Sequence, residues 1–217
     1  DAIILAAGQG TRMKSNKAKV LHQLGGKSLL QHVVDAINPL SASINIVIGY
    51  DAELVKNSIS NHSINWVVQK KQLGTGHAVQ QAKTNINDKS TCIILYGDVP
   101  FISSNTIKSL IAQSQSTGFS LLSVILDDPS GYGRIVRDKN KVIMSVIEHK
   151  DADDDKQKIN EINTGIMAIK GSLLKKYISQ LEPNNKQGEL YLTDIVEIAV
   201  SDNVTISSLV CDNVSEV

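Results

Sequence analysis

Apolar residues in this 217-residue chain gather into short runs separated by stretches with a helical repeat. The first run, Ala2-Ile3-Ile4-Leu5-Ala6, is apolar at every position. It predicts a strand buried on both faces, because a half-exposed strand alternates apolar and polar residues. Further strand-like segments are Asn45–Ile48, Asn65–Val68, Cys92–Leu95, Leu121–Ile125, Gly165–Ile169 and Thr205–Val210. Between them lie amphipathic stretches at Ser28–Ile37, Ala52–Ile59, Gly76–Lys83, Ser104–Ser116, Ser172–Leu181 and Thr193–Val200. Such alternation predicts right-handed βαβ units, hence an α/β fold with a mainly parallel sheet flanked by helices. Ligands of such sheets bind beyond the carboxyl ends of the strands. The loops after Ala6, Val68 and Leu95 are therefore where chemistry is expected.

One segment departs from this rhythm. In Gly131–Glu148 the runs Arg134–Arg137 and Val142–Ile147 flank Asp138-Lys139-Asn140-Lys141, which predicts a β-hairpin inserted into the α/β pattern. The acidic run Asp151–Asp155 that follows reads as a solvated loop or helix N-terminus. Without internal repeats or a low-complexity linker, residues 1–217 read as one domain with an inserted hairpin lobe.

Charge changes the picture by exclusion. Lys plus Arg total 22 and Asp plus Glu total 22, so the chain has no net pull toward nucleic acid or an anionic membrane. Aromatic content of 4% argues against base-stacking platforms for single strands. The two cysteines, Cys92 and Cys211, each sit in an apolar run and read as buried free thiols in a reducing, cytoplasmic setting. No stretch approaches a membrane span and no signal peptide is visible; the chain, starting in a strand without Met, reads as trimmed.

Three strand-to-loop junctions carry candidate chemistry. After the first strand comes Ala7-Gly8-Gln9-Gly10-Thr11-Arg12-Met13, with Lys19 a few residues on. Gly8 and Gly10 permit a tight turn that presents backbone N–H groups, and Arg12 and Lys19 supply charge for phosphates. The spacing fits neither the dinucleotide fingerprint nor the Walker A loop, and an ordinary strand-to-helix turn is the plainer alternative. The second junction is Gln69-Lys70-Lys71-Gln72-Leu73-Gly74-Thr75-Gly76-His77. Its amides suit a nucleobase edge, while Thr75 as a helix cap is the plainer alternative. The third is Leu95-Tyr96-Gly97-Asp98-Val99-Pro100, where Asp98 is placed either to hold Mg²⁺ or to shape the turn before Pro100. The five histidines have no spacing suited to zinc, and no Ser-His-Asp arrangement can be argued. His32, on an amphipathic helix, reads as structural.

Taken together, Leu5-Ala6-Ala7-Gly8-Gln9-Gly10-Thr11-Arg12-Met13 and Lys17-Ala18-Lys19 resemble the opening of the sugar-1-phosphate nucleotidylyltransferases, with Ala18 where a proline is usual. The Gln69…Gly74-Thr75 loop and the Gly97-Asp98-Val99-Pro100 turn resemble the family's base-binding and metal-binding segments. The later segments Gly131-Tyr132-Gly133-Arg134-Ile135, Glu148, Glu161-Ile162-Asn163-Thr164-Gly165 and Gln187–Asp194 are similar to the N-acetylglucosamine-1-phosphate uridyltransferases in particular. The resemblance runs from Ala2 to Val217.

That resemblance implies a Rossmann-like fold of the nucleotide-diphospho-sugar transferase type. It implies UTP and N-acetylglucosamine 1-phosphate as substrates and Mg²⁺ as cofactor, in the synthesis of peptidoglycan and lipopolysaccharide precursors. Leu5, Ala6, Ala7, Gly8, Lys19, Gln69, Gly74 and Thr75 would hold the nucleotide. Arg12 and Lys19 would be the catalytic charges, and Asp98 the metal ligand. Tyr96, Gly97, Asp98, Gly133, Glu148, Asn163, Tyr191 and Thr193 would surround the sugar. In the family a second metal ligand is an asparagine shortly after Ser-Glu-Val, and this chain stops at Ser215-Glu216-Val217. The expectation is therefore a piece of a bifunctional enzyme, whose C-terminal left-handed β-helix acetyltransferase domain makes the homotrimer. A related enzyme for glucose 1-phosphate with UTP or dTTP, and a non-catalytic nucleotide-sugar sensor, are the alternatives.

Overall fold

The computed structural model describes residues 1–10, 17–41, 43–60 and 63–216. Its elements in chain order are β1 (Ala2–Ala6), the short β2 (Gln23–Leu24) and β3 (Lys27–Ser28), α1 (Leu29–Ile37), β4 (Ile44–Ile48), α2 (Ala52–Asn57), β5 (Ile64–Val68), α3 (Thr75–Gln81), β6 (Thr91–Tyr96) and α4 (Ser104–Thr117). Then follow β7 (Phe119–Ile125), β8 (Gly133–Arg137), β9 (Ile143–Ile147), α5 (Asp154–Gln157), β10 (Glu161–Lys170), α6 (Gly171–Ile178), α7 (Asp194–Ser201) and β11 (Ser207–Val210). A 3₁₀ turn at Lys19–Leu21 precedes β2.

The main sheet runs in the order β11-β7-β10-β6-β1-β4-β5. β1 lies at its centre, parallel to β4 on one side and β6 on the other, with Ala2 opposite Ile44 and Ile93. This central place explains the unbroken apolar run. Ile3 and Leu5 enter one core with Val79, Leu174, Tyr177 and Ile195, while Ala2, Ile4 and Ala6 enter the other with Leu30, Val33, Ile37 and Leu110. Helices α3, α6 and α7 thus cover one face, and α1 and α4 the other. Ile3 and Ile4 are both fully buried, and each such side chain contributes roughly 1.5–3 kcal/mol of transfer free energy.

Local chemistry sets the helix ends. Ser28 and Ser103 accept from the backbone N–H groups of Gln31 and Thr106, both at 3.1 Å, capping α1 and α4. α4 stops at Gly118, whose φ of 81° is the left-handed conformation that closes helices. In the acidic run, Asp153 accepts from the Lys156 N–H at 2.9 Å and starts the single-turn α5.

The mostly parallel arrangement holds for β6-β1-β4-β5 and for β11-β7. β10 runs against both its neighbours, β6 and β7. It also extends well before the predicted start at Gly165, back to Glu161. Its second half, Met167–Lys170, pairs with β6, and its first half leaves β6 to pair with β8 through Ile162↔Arg134 and Asn163↔Gly133. The sheet therefore forks at β10, and the hairpin β8–β9 grows out of the branch. Gly165 stands at the fork with φ of 85°. Both cysteines are buried and free.

Candidate active site

The carboxyl ends of β1, β5 and β6 open on one cleft of about 510 Å³. Leu5, Ala6, Ala7, Gly8, Lys19, Gln69, Gly74, Thr75, Tyr96 and Asp98 all line it. Three loops far apart in sequence thus meet because β6, β1 and β4-β5 lie side by side with the same polarity. Gly97 stands behind this wall. Its N–H donates to Leu5 O at 2.9 Å, and an added Cβ would lie 3.0 Å from Leu30 Cδ1. Arg12 lies outside the described residues.

Two charged side chains at the cleft form a pair. Lys19 Nζ is 2.7 Å from Asp98 Oδ2, with both side chains partly exposed. Such an exposed pair contributes only about 0.2–1 kcal/mol, so both partners are available to a ligand at little cost. Gly10, with φ of 71°, passes so close to Lys19 that an added Cβ would sit 2.6 Å from Lys19 Cβ. Ala18 holds φ of −53° and ψ of 136°, the backbone shape a proline would impose, and its N–H donates to Asp51 Oδ2 at 3.0 Å. The alanine keeps the turn through a hydrogen bond that a proline has no N–H to make.

Thr75 is the first residue of α3, with Gly74 as the N-cap, and its side chain caps nothing. Instead its Oγ1 accepts from the Leu192 N–H at 3.0 Å. A strap, Glu189–Leu192, crosses the loop here: Gly76 N–H donates to Leu190 O and Leu190 N–H to Leu73 O, both at 2.8 Å. Gly74 has φ of 111°, and a Cβ there would be 2.4 Å from Leu190 O. The strap brings Glu189 to the cleft. Gln72, in the glutamine-bearing loop after β5, lines it too, and Glu189 is a lining residue that sequence reasoning missed; nothing local marks it, since the strap's path is a tertiary fact.

The remaining predicted residues form a second cluster. Asn163 faces Gly133 across the β10–β8 ladder, and a Cβ at Gly133 would lie 3.4 Å from both Glu148 carboxylate oxygens. Thr193 Oγ1 donates to Glu148 Oε1 at 3.1 Å. Asn163 Oδ1 is buried with no partner among the described residues, an acceptor left over for something else. Tyr191 accepts from the Gln187 amide and, with Glu148, borders a neighbouring cavity of about 500 Å³.

Tyr96 joins the two clusters. Burial raises its phenol pKa, and the nearby carboxylates of Glu148 and Asp98 raise it further, against a hydrogen bond with Thr75. The phenol therefore stays neutral and able to donate. Gly165 gives the ring its room, since a Cβ there would stand 2.5 Å from Tyr96 Cε2. Burial also lifts the Glu148 pKa above the ordinary carboxylate value, opposed by Thr193 and reinforced by Asp151. Asp194 is lifted from 3.8 to about 6, first by burial and then by Glu148, Glu197 and Asp151.

Among the described residues no three His, Cys, Asp or Glu side chains converge as a metal cage. Asp98 presents one hard oxygen ligand beside the cleft. That donor set fits a divalent cation that draws its other ligands from water and phosphate oxygens.

Residues 2–138 match the family model of the MobA-like NTP transferase domain. The chain belongs to this family. It is 50% identical over 216 residues to the bifunctional protein GlmU of Ruthia magnifica subsp. Calyptogena magnifica, and 52% identical over 216 residues to that of Vesicomyosocius okutanii subsp. Calyptogena okutanii. Each alignment covers 100% of this chain and 48% of the relative, so the chain spans about half the length of the curated relatives it matches. Two solved structures share the fold of this NTP transferase. A Bacillus anthracis protein provisionally named a glucose-1-phosphate thymidylyltransferase, solved with sucrose, has a TM-score of 0.77 at 22% identity, covering 98% of this chain and 87% of that one. HddC from Yersinia pseudotuberculosis, complexed with GMP-PN, has a TM-score of 0.69 at 20% identity, covering 97% and 90%.

Proposed function

We propose that this NTP transferase moves UMP from UTP to N-acetyl-α-D-glucosamine 1-phosphate, giving UDP-N-acetylglucosamine and pyrophosphate. The observation that carries the reading is the meeting of two donor sets at Tyr96. On one side lie glycine-rich backbone, the Gln69 amide and the Lys19–Asp98 pair; on the other lie Gly133, Asn163, Glu148 and Thr193. The first suits a nucleoside triphosphate and the second a polar sugar ring. The GlmU relatives support the same choice.

An oxygen of the sugar phosphate attacks the α-phosphorus in line, the bond from that phosphorus to the β-phosphate bridging oxygen breaks, and pyrophosphate leaves with the electron pair. No covalent enzyme intermediate is required, so catalysis reduces to positioning and charge neutralisation. Leu5 to Gly8, Gly74 and Thr75 shape the nucleotide wall. Arg12 and Lys19 neutralise the triphosphate and the leaving group. Asp98 would hold Mg²⁺, which when bound would supply positive charge at the phosphates. Tyr96, Glu148 and Asn163, with Tyr191 and Thr193 behind them, orient the acetamido sugar. In the whole protein, an acetyltransferase domain in the unmatched half of the relatives' length would add the second activity and a trimeric assembly.

The test is pyrophosphate release from UTP at varied Mg²⁺, comparing N-acetylglucosamine 1-phosphate with glucose 1-phosphate, in the wild type and Asp98→Asn. The reading expects at least about a tenfold preference for the acetylated sugar and a higher Mg²⁺ demand in the variant. Equal use of both sugars removes the acetamide assignment. Tight UDP-sugar binding without turnover turns the protein into a binding module.

A further inference from the structure

Among the described residues, the cleft is lined from the ends of β1, β5 and β6 and not from the end of β4. Yet β4 lies between β1 and β5 with the same polarity. The loop after β4 instead leans on the loop after β1. Tyr50 N–H donates to Ala7 O at 3.2 Å, and a Cβ on Gly49 would lie 3.1 Å from the same oxygen. Asp51 follows in the left-handed conformation, with φ of 55° and ψ of 31°. Few residues with a Cβ adopt that shape, and aspartate is one of them. Asp51 stands at the N-cap of α2, where an aspartate ordinarily accepts from the helix's own first N–H groups. Its side chain makes no such cap. Oδ2 reaches across to Ala18, 33 residues away in sequence, and accepts its N–H at 3.0 Å.

Ala18 is fully buried and opens the 3₁₀ turn that carries Lys19. The Ala18 carbonyl accepts from Leu21 N–H at 3.0 Å, and the Lys19 carbonyl from His22 N–H at 3.1 Å. With Asp51 on its N–H, the residue before Lys19 has both backbone polar groups held. A proline there would fix φ through its ring and need no partner; the alanine depends on the bond. We propose that Asp51 is a positioning residue: through Ala18 it holds the turn from which Lys19 reaches the phosphates of the nucleotide. Lys19 Nζ already faces the cleft, 2.7 Å from Asp98 Oδ2. The end of β4 thus serves the cleft without touching its ligand. The inference rests on the assignment of Lys19 to the phosphates.

The test reads dissociation constants of UTP and uridine with Mg²⁺ present, by titration calorimetry, which needs no turnover. Uridine carries no phosphate and so reports the rest of the nucleotide wall. Asp51→Gly removes the acceptor and keeps the left-handed backbone. It should weaken UTP by about tenfold, the scale of one lost hydrogen bond to a charged group, and leave uridine unchanged. Asp51→Asn keeps an acceptor and tolerates the same backbone, so it should bind as the wild type does. Ala18→Pro combined with Asp51→Gly should recover UTP affinity, because the ring fixes what the hydrogen bond held. Unchanged UTP affinity in Asp51→Gly, an equal loss for both ligands, or no recovery with proline overturns the proposal. Lys19→Ala separates it from the reading beneath. Wild-type UTP affinity in that variant removes Lys19 from the phosphates and the proposal with it. A loss in Lys19→Ala with none in Asp51→Gly overturns the role of Asp51 alone. Should Asp51→Gly not fold, Asp51→Ala in the alanine and proline backgrounds carries the same comparison.

Discussion

Asp194 is a carboxylate placed against its own kind. With Glu148, Asp151 and Glu197 around a half-buried position, its folded-state pKa rises from 3.8 to about 6. The folded protein then holds this proton more tightly than the unfolded chain. Its contribution to stability is fully favourable below pH 4, is lost as the pH climbs to about 6, and stays lost above. Asp194→Asn should therefore stabilise the protein at pH 8 by about 1 kcal/mol, allowing for solvent screening, and leave it unchanged near pH 3.5. Thermal melts at the two pH values check this, and an equal gain at both would show that packing rather than ionisation is responsible. Arg134 is the opposite case. It is 1% exposed, and its guanidinium donates to two carbonyls, Tyr132 O and Gln157 O. A basic residue in a hairpin strand reads as solvent-facing. The contact with Gln157 at the end of α5 is tertiary and leaves no local trace in the chain.

At the scale of elements, Gly165 is the most constrained position. It bends β10 at the fork and leaves space for the Tyr96 ring. Gly165→Ala should cost about 2–3 kcal/mol, from a left-handed backbone and a displaced aromatic ring. It should also raise KM for the sugar phosphate more than KM for UTP. Denaturant unfolding and steady-state kinetics measure the two effects; equal shifts in both KM values would contradict the division of the cleft at Tyr96. This element also marks how far pattern reading reaches. β1, β4 and β6 are legible because burial on both faces leaves unbroken apolar runs, and the loops after them follow from parallel topology. β10 is legible only in its second half. Asn163 and Thr164 interrupt the apolar signal, Asn163 facing Gly133 across the branch and Thr164 Oγ1 donating to Leu122 O, and strand direction leaves no mark in composition. The cleft residues at the ends of β1, β5 and β6 were thus readable from position, whereas Glu189 depends on a strap whose course is set by distant packing.

Across the whole molecule, the two halves of the cleft are attached with unequal strength. Residues of β1 pair on both sides along nearly their full length, while β8–β9 joins the sheet through Ile162↔Arg134 and Asn163↔Gly133. Amides of the hairpin should exchange with solvent faster than those of β1 and β6 in the free protein, and slow when UDP-N-acetylglucosamine is added. Hydrogen exchange read by mass spectrometry checks this, and a hairpin as protected as β1 would show that the branch is rigid. The family match ends at residue 138, in the hairpin turn, while the parallel strands β1, β4, β5 and β6 and their loops lie before it. The fork therefore works as a graft union. On the proposed reading, a change of sugar would be accommodated first in what hangs from the branch, while the loops after β1, β5 and β6 would stay as they are.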